Sequence, residues 1–147
     1  MPTTDHLDLI MAVMETAFEP AFGEAWSRRQ VEDALLLGHC QYGLAITGAD
    51  CAGFYLARNG FGEVELLLLA VDPQHRRRGF ARQLLEDLAV FARGRNAERL
   101  LLEMRDGNPA EHLYRQFGFD VIGTRKNYYK LAGGLRADAI TFAKTLV

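Results

Sequence analysis

Leu7, Ile10, Met11, Met14 and Phe18 recur at the three- and four-residue spacing of a helix, and Pro20 predicts its end. Residues 19–26 (EPAFGEAW) carry no such period and predict a loop. Ser27-x-x-Gln30 then reads as a capping box, followed by a stripe of Val31, Ala34 and Leu35 that Gly38 stops. Residues 40–47 and 51–58 read as strands joined through Gly48-Ala49-Asp50, a hairpin signal. Residues 62–71 (GEVELLLLAV) end in a continuous apolar run, the pattern of a strand covered on both faces. Ala81, Leu84, Leu85, Leu88, Phe91 and Ala92 hold one face of a long helix closed by Gly94. Residues 98–104 alternate, with Leu100, Leu102 and Met104 on one side and Leu101 and Glu103 on the other. Asn108-Pro109-Ala110-Glu111 predicts a capped helix start, with Ala110, Leu113, Tyr114 and Phe117 as the apolar stripe and Gly118 as the stop. Residues 119–124 and 138–146 predict two last strands, joined by a loop holding Tyr128 and Tyr129. The order of elements predicts one mixed α/β domain over residues 1–147, built around a central sheet, with no repeat or linker.

Composition narrows the classes. The chain has 147 residues, 49% of them hydrophobic, enough for one domain with its own core. Charged residues make up 24%, and 17 Lys and Arg against 19 Asp and Glu leave a net charge of −2. That excludes disordered, collagen-like and disulfide-rich miniprotein classes, and it argues against direct nucleic-acid binding. Cys40 and Cys51 form no Cys-x-x-Cys pair and the four histidines have no zinc-type spacing, so no metal is expected. A reduced, cytoplasmic setting is the default expectation, although the sequence leaves a Cys40–Cys51 disulfide open. The longest apolar run, Leu66 to Val71, falls far short of the roughly 20 residues that cross a bilayer. Asp5 and Asp8 stand where an export signal carries basic residues, so no membrane partner is expected.

The densest chemistry lies in residues 69–82, LAVDPQHRRRGFAR. A buried strand ends at Val71, Asp72-Pro73 forces a turn, and three arginines and a glycine lead into a helix. First-turn N–H groups lack helical partners and the dipole places partial positive charge there. Gly79 and small Ala81 let a ligand approach the backbone, so the segment suits a pyrophosphate with arginines adding charge. A solvated loop before an amphipathic helix is the plainer reading. Neither Gly-x-x-x-x-Gly-Lys-Ser/Thr nor Gly-x-Gly-x-x-Gly is present.

Arg76-x-x-Gly79-x-Ala81, preceded by LAVDP and followed by Leu84-Leu85, resembles the Arg/Gln-x-x-Gly-x-Gly/Ala signature of the GNAT superfamily of acyl-CoA N-acyltransferases. Asn108 with Leu113-Tyr114-Arg115-Gln116-Phe117-Gly118-Phe119 resembles its Asn…LYxxxGF segment, in the family's order and spacing. The likeness covers roughly residues 27–146. Leu102-Glu103-Met104-Arg105, Arg125-Lys126-Asn127-Tyr128-Tyr129 and Asp138-Ala139-Ile140 resemble the branch that acetylates the N-terminal alanine of ribosomal proteins.

The resemblance implies a GNAT-like mixed central sheet, flanked by helices, whose two central parallel strands splay apart. It implies acetyl-CoA as co-substrate. Leu69, Ala70 and Val71 pair their backbone with the pantetheine arm. Arg76 opens the signature, and Arg77, Arg78, Gly79, Phe80, Ala81 and Arg82 hold the pyrophosphate. Asn108 hydrogen-bonds the arm, beside its plain reading as a helix cap. Glu103 is the implied general base and Tyr114 the general acid, with Glu65 a rival base on the preceding strand. Tyr114 as a core tyrosine and Glu103 as a strand carboxylate paired with an arginine are the structural alternatives. Trp26, Tyr128 and Tyr129 wall the acceptor groove or pack loops. The family opens with a strand before its first helix. Here the helical pattern starts near residue 5, so that strand is expected to be short or missing, with the 19–26 loop shielding the sheet edge.

An α-amine, with a pKa of about 8, is roughly a tenth neutral near pH 7, whereas a lysine amine at about 10.4 is neutral in well under a thousandth. The expected reaction is direct acetyl transfer to a protein N-terminal α-amine, with a ribosomal protein's N-terminal alanine as acceptor. Lysines or small-molecule amines are the rival acceptors. A non-catalytic acyl-CoA sensor is disfavoured by the presence of both Glu103 and Tyr114, and RNA binding through Arg76–Arg78 by the balanced charge. The oligomeric state is left open.

Overall fold

The structure is a computed structural model that describes residues 4–18 and 22–147. Helix α1 (Thr4–Ala17) buries Leu7, Ile10, Val13 and Met14. The stop expected at Pro20 lies outside the described residues. Helix α2 (Arg28–Leu36) starts on the expected capping box: the Ser27 side chain accepts from the Gln30 N–H at 3.2 Å, and the Ser27 N–H donates to the Gln30 side-chain Oε1 at 2.7 Å. Strands β1 (Cys40–Thr47), β2 (Asp50–Asn59) and β3 (Glu63–Val71) form an antiparallel meander. After a short 3₁₀ turn at Pro73–His75 come α3 (Phe80–Gly94), β4 (Arg99–Arg105), α4 (Glu111–Gln116), β5 (Asp120–Lys130) and β6 (Arg136–Thr145). The sheet order is β1-β2-β3-β4-β6-β5, with β3 and β4 the parallel pair at its centre.

Both sheet faces are covered. On one side α3 buries Leu84, Leu85, Leu88, Ala89 and Ala92 against Val64, Leu66, Leu100, Leu102 and Phe142. Phe91, expected in that stripe, is 38% exposed and Ala89 takes its place. On the other side α1 and α2 pack on Phe54, Leu56, Leu68 and Ala70. The apolar run of β3 serves both cores because its register slips. Ala57 faces Leu66 but Leu56 faces Leu68, which leaves Leu67 as an extra residue. Such a bulge reverses which side chains face which side and bends the strand. Val64 and Leu66 therefore join the α3 core, while Leu68 and Ala70 join the α1 core.

Helix α1 begins at Thr4, and β1 is the sheet edge, so among the described residues no strand precedes the first helix, in line with the expectation from sequence. Of the expected 19–26 loop, residues 19–21 lie outside the described residues; Phe22, Glu24 and Trp26 line a cleft beside β3 and β4, and Trp26 packs on the same core cluster as Cys40, Tyr42 and Leu44 of β1. Other expectations are corrected. Tyr128 and Tyr129 stand in β5 rather than a loop. That strand runs on past a bulge where Asn127 takes φ 51°. Asp138 stabilises the bulge by accepting from the Asn127 N–H at 2.9 Å and from Lys126 at 3.4 Å. These two donors hold its carboxyl below the ordinary aspartate range, the Asn127 amide foremost. Helix α4 begins at Glu111, two residues later than a cap at Asn108 allows. Both cysteines are free: Cys40 faces Arg58 and Cys51 faces Ile46, so the hairpin keeps them apart.

Gly53 lets β2 lie close against the end of β3. A Cβ there would sit 2.5 Å from the Ala70 carbonyl oxygen and 3.2 Å from the Val71 Cα. Gly53→Ala is expected to cost about 1–3 kcal/mol, the usual range for overpacking. Because the strain falls on Ala70 and Val71, the backbone that the resemblance assigns to the pantetheine arm, a urea titration is expected to show the loss together with weaker binding of the expected co-substrate. Retention of both values would show that β3 yields freely there.

Candidate active site

The site begins where two parallel strands stop pairing. The β3–β4 ladder runs from Glu63 opposite Arg99 to Leu66 opposite Leu102 and ends there. Strand β3 continues to Val71 along β2, and β4 continues to Arg105 along β6. The bulge at Leu67 falls at this parting and turns β3 away. Backbone groups of residues 67–71 on the β4 side thus have no ladder partner, and such groups demand one. An extended, amide-bearing ligand can pair with them as an added strand would.

Two cavities of about 260 and 470 Å³ occupy the gap. They share a wall made by Phe18, Phe22, Glu24, Leu69, Asn108 and Tyr114. The larger is also lined by Ala70, Val71, Arg76, Ala81 and Leu113, on the α3 side of the gap. The smaller adds Trp26, Leu67, Glu103, Met104 and Tyr129. Glu103 and Tyr114 reach this space from opposite faces. Strand alternation turns Glu103 away from the α3 core that holds Met104, while Tyr114 itself belongs to that core.

Tyr114 is 7% exposed and packs edge-on to Phe119, ring centroids 5.9 Å apart. Burial, and secondarily the charge of Glu24, pushes its hydroxyl well above the ordinary tyrosine range. The O–H is therefore intact throughout the neutral and mildly alkaline range. Glu103 accepts from the Thr141 hydroxyl at 3.3 Å and faces the Arg125 Nε at 3.3 Å. Tyr129 is pushed up to about 12, chiefly by burial and next by Glu103. The rival carboxylate, Glu65, is ion-paired with Arg58 and lines neither cavity. Tyr128, also expected in the groove wall, lines neither cavity. It is 50% exposed and lies edge-on to Tyr129 with Arg125 over its ring. Adjacent strand residues face opposite sides, so only one of the two tyrosines can point inward.

The turn before α3 is shaped for an anion. Asp72 accepts from the Gln74 N–H at 2.9 Å, Arg77 takes φ 63°, and Gly79 takes φ 83° at the helix N-cap. No side chain caps α3, and nothing lies within 4 Å of a Cβ at Gly79, so ligand access to the first-turn amides is open. Arg76 donates to the Ala17 carbonyl at 2.9 Å, tying this turn to the end of α1. Arg77, Arg78, Gly79, Phe80 and Arg82 stand outside the cavity walls on the turn and the first helical turn. Arg78 lies over Phe80, and Arg82 pairs with Glu86 at 3.2 Å. The Asn108 side-chain oxygen accepts from the Ala110 N–H at 2.9 Å, and no hydrogen bond among the described residues engages its amide nitrogen. The residues present thus fit an extended thioester carrier with a pyrophosphate. Among the described residues, no cluster of His, Cys, Asp and Glu could hold a metal.

Sequence reasoning missed Phe18, Phe22 and above all Glu24. Burial raises the Glu24 carboxyl above the ordinary glutamate range, against the lowering effect of Arg105. Arg105 lies 3.8 Å from the centroid of the Phe22 ring and so fastens the loop that carries Glu24.

A central parallel pair that parts over an uncapped, glycine-started helix, with a carboxylate and a tyrosine at the parting, defines an α/β acyl-transferring fold. The family model described as Acetyltransferase (GNAT) family matches residues 8–119, and the chain belongs to that family. Among its relatives, the N-alpha-acetyltransferase RimI of Mycobacterium tuberculosis is 34% identical over 126 residues, 82% of this chain and 76% of that protein. The [ribosomal protein bS18]-alanine N-acetyltransferase of Haemophilus influenzae is 33% identical over 91 residues, which span 62% of each chain. The crystal structure of the ribosomal-protein-S18-alanine N-acetyltransferase from Escherichia coli superposes with a TM-score of 0.87 at 29% identity, covering 99% of this chain and 90% of that one.

Proposed function

We propose that this chain transfers acetyl from acetyl-CoA to the N-terminal α-amine of a protein, with the N-terminal alanine of a ribosomal protein as its acceptor. The observation that carries the reading is the parting of β3 and β4 with Glu103 and Tyr114 together on the wall of one cavity. The substrate named for the Haemophilus and Escherichia relatives supports the choice of acceptor. The setting that goes with such an acceptor is the cytoplasm.

Bound acetyl-CoA supplies a thioester carbonyl open to attack. Residues 67–71 orient it through unpaired backbone groups, and their N–H donors stabilise charge developing on the carbonyl oxygen. The open amides at the start of α3, with Arg77 and Arg78 nearby, hold the pyrophosphate. Asn108 donates from its free amide nitrogen. Glu103 accepts the proton that the amine loses as its nitrogen bonds to the carbonyl carbon. Tyr114 donates a hydrogen bond from its O–H to the sulfur as the carbon–sulfur bond breaks, and the thiolate takes its proton from solvent. Trp26 and Tyr129 flank the entering peptide. The net change is an amide and a free thiol, with no covalent enzyme intermediate.

Mass spectrometry of an alanine-headed peptide incubated with enzyme and acetyl-CoA tests this. The expected product carries one acetyl on its α-amine, while the N-blocked, lysine-containing counterpart stays unmodified. Reaction of only the blocked peptide overturns the acceptor assignment. Absence of thiol release with every amine overturns the reaction.

A further inference from the structure

Arg105, the last residue of β4, has no part in the reaction as described above. It stands on the same strand face as Glu103, yet it lines the larger cavity, with Leu69, Ala70, Val71 and Asn108, and not the smaller one. Its guanidinium is held in place: the Cζ lies 3.8 Å from the centroid of the Phe22 ring, and Nη1 donates to the Asp106 carbonyl at 3.3 Å. The remaining donors are unspent. Nε is buried without a hydrogen-bond partner, and no hydrogen bond among the described residues engages Nη2. Glu24, on the same cavity wall, feels the charge of Arg105 but forms no ion pair with it among the described residues. A buried donor without an acceptor is costly, so this edge of the guanidinium gains from any acceptor that reaches it.

We propose that Arg105 binds the arm of the acyl carrier, donating from its Nε and Nη2 edge to an amide carbonyl of pantetheine across the gap from β3. This rests on the reading of the gap as an acyl-CoA site and adds a binding residue to it. An extended, amide-bearing arm has hydrogen-bonding groups on both of its edges. Strand β3 satisfies only the edge that lies along residues 67–71. The opposite edge faces the end of β4, which pairs with β6 through Arg105 and has no β3 partner beyond Leu102. On that side of the larger cavity the unspent side-chain donors belong to Asn108, Tyr114 and Arg105. Tyr114 serves the sulfur, which leaves Asn108 and Arg105 for the arm. A neutral carbonyl suits Arg105 better than a phosphate or a carboxylate, because Glu24 beside it repels a second anion.

The test is calorimetric binding of two ligands to the full chain: coenzyme A, and adenosine 3′,5′-bisphosphate, which keeps the nucleotide end and lacks the arm. Arg105→Leu is expected to weaken coenzyme A about tenfold or more, the lower end for a hydrogen bond from a charged group, and to leave the bisphosphate within about twofold. Arg105→Lys, which keeps the charge but not the two-donor edge, is expected to recover only part of the loss. The KM for an alanine-headed peptide at saturating acetyl-CoA is expected to stay within about twofold in both variants. A melting curve shows that each variant is folded, and should Arg105→Leu fail to fold, Arg105→Lys alone decides. Unchanged coenzyme A affinity overturns the inference, and so does an equal loss for both ligands, which is the mark of a general charge or folding effect. A raised peptide KM with coenzyme A binding intact also overturns it and moves Arg105 to the acceptor side. Wild type that binds neither ligand removes the acyl-CoA reading itself, so the two failures are distinguishable.

Discussion

Tyr114→Phe is expected to lower kcat about tenfold or more while leaving coenzyme A affinity within about twofold. The substitution removes one oxygen and little else. The ring keeps its edge-on packing on Phe119, and no hydrogen bond among the described residues is lost with the hydroxyl. Burial fixes how the hydroxyl acts. A thiolate leaving with a pKa near 8.5 is a weak base beside a tyrosine raised above its usual value of about 10. Full proton transfer to sulfur is uphill, so Tyr114 stabilises the departing thiolate as a hydrogen-bond donor and the proton finally arrives from solvent. The same shift has a signed consequence for pH. The O–H form persists below the raised pKa, so the alkaline limb of the rate profile is not expected to fall near pH 10 on account of Tyr114. Continuous detection of free thiol from pH 7 to 10, for wild type and variant, measures both effects. Equal turnover would remove Tyr114 from the reaction and leave it a core residue.

The parts of this molecule legible in sequence are those written in local period and spacing. The capping box at Ser27 and Gln30 closes as its residues dictate, and the alternation of β4 places Leu100, Leu102 and Met104 in the core with Glu103 facing the other way. The run at 66–71 shows that both faces are covered, but not how. One inserted residue at Leu67 exchanges the faces, and a register slip leaves no mark in composition. Tyr128 and Tyr129 carried a readable signal: neighbours in a strand point to opposite sides, so a shared wall required a loop that the hairpin does not form. Glu24 carried none. It lies in an aperiodic segment, and its electrostatic surroundings include Arg105 in β4 and Tyr114 in α4, about 80 and 90 residues away along the chain. Contacts of that range depend on topology rather than on local pattern.

Glu103→Gln is expected to lower kcat/KM near pH 7 about a hundredfold, the lower end for a general base. The lower end applies because an α-amine of pKa about 8 is already roughly a tenth neutral at that pH. Glutamine keeps the shape and can still accept from the Thr141 hydroxyl, so the cavity wall survives. The lost ion pair is to an Arg125 that is 61% exposed, and such pairs are worth under about 1 kcal/mol, so the variant is expected to fold normally. Its diagnostic is the pH profile. Between pH 7 and 9 the neutral fraction of the amine rises from roughly a tenth to roughly nine tenths, and the variant's rate is expected to climb with it. Wild type, assisted by the carboxylate, is expected to climb less steeply. Glu65→Gln supplies the contrast: its carboxylate is paired to Arg58 on the far part of β3 and touches neither cavity, so kcat/KM is expected to stay near wild type. A large loss in the Glu65 variant with none in the Glu103 variant would move proton acceptance to the other strand, and with it the orientation of the amine relative to the gap.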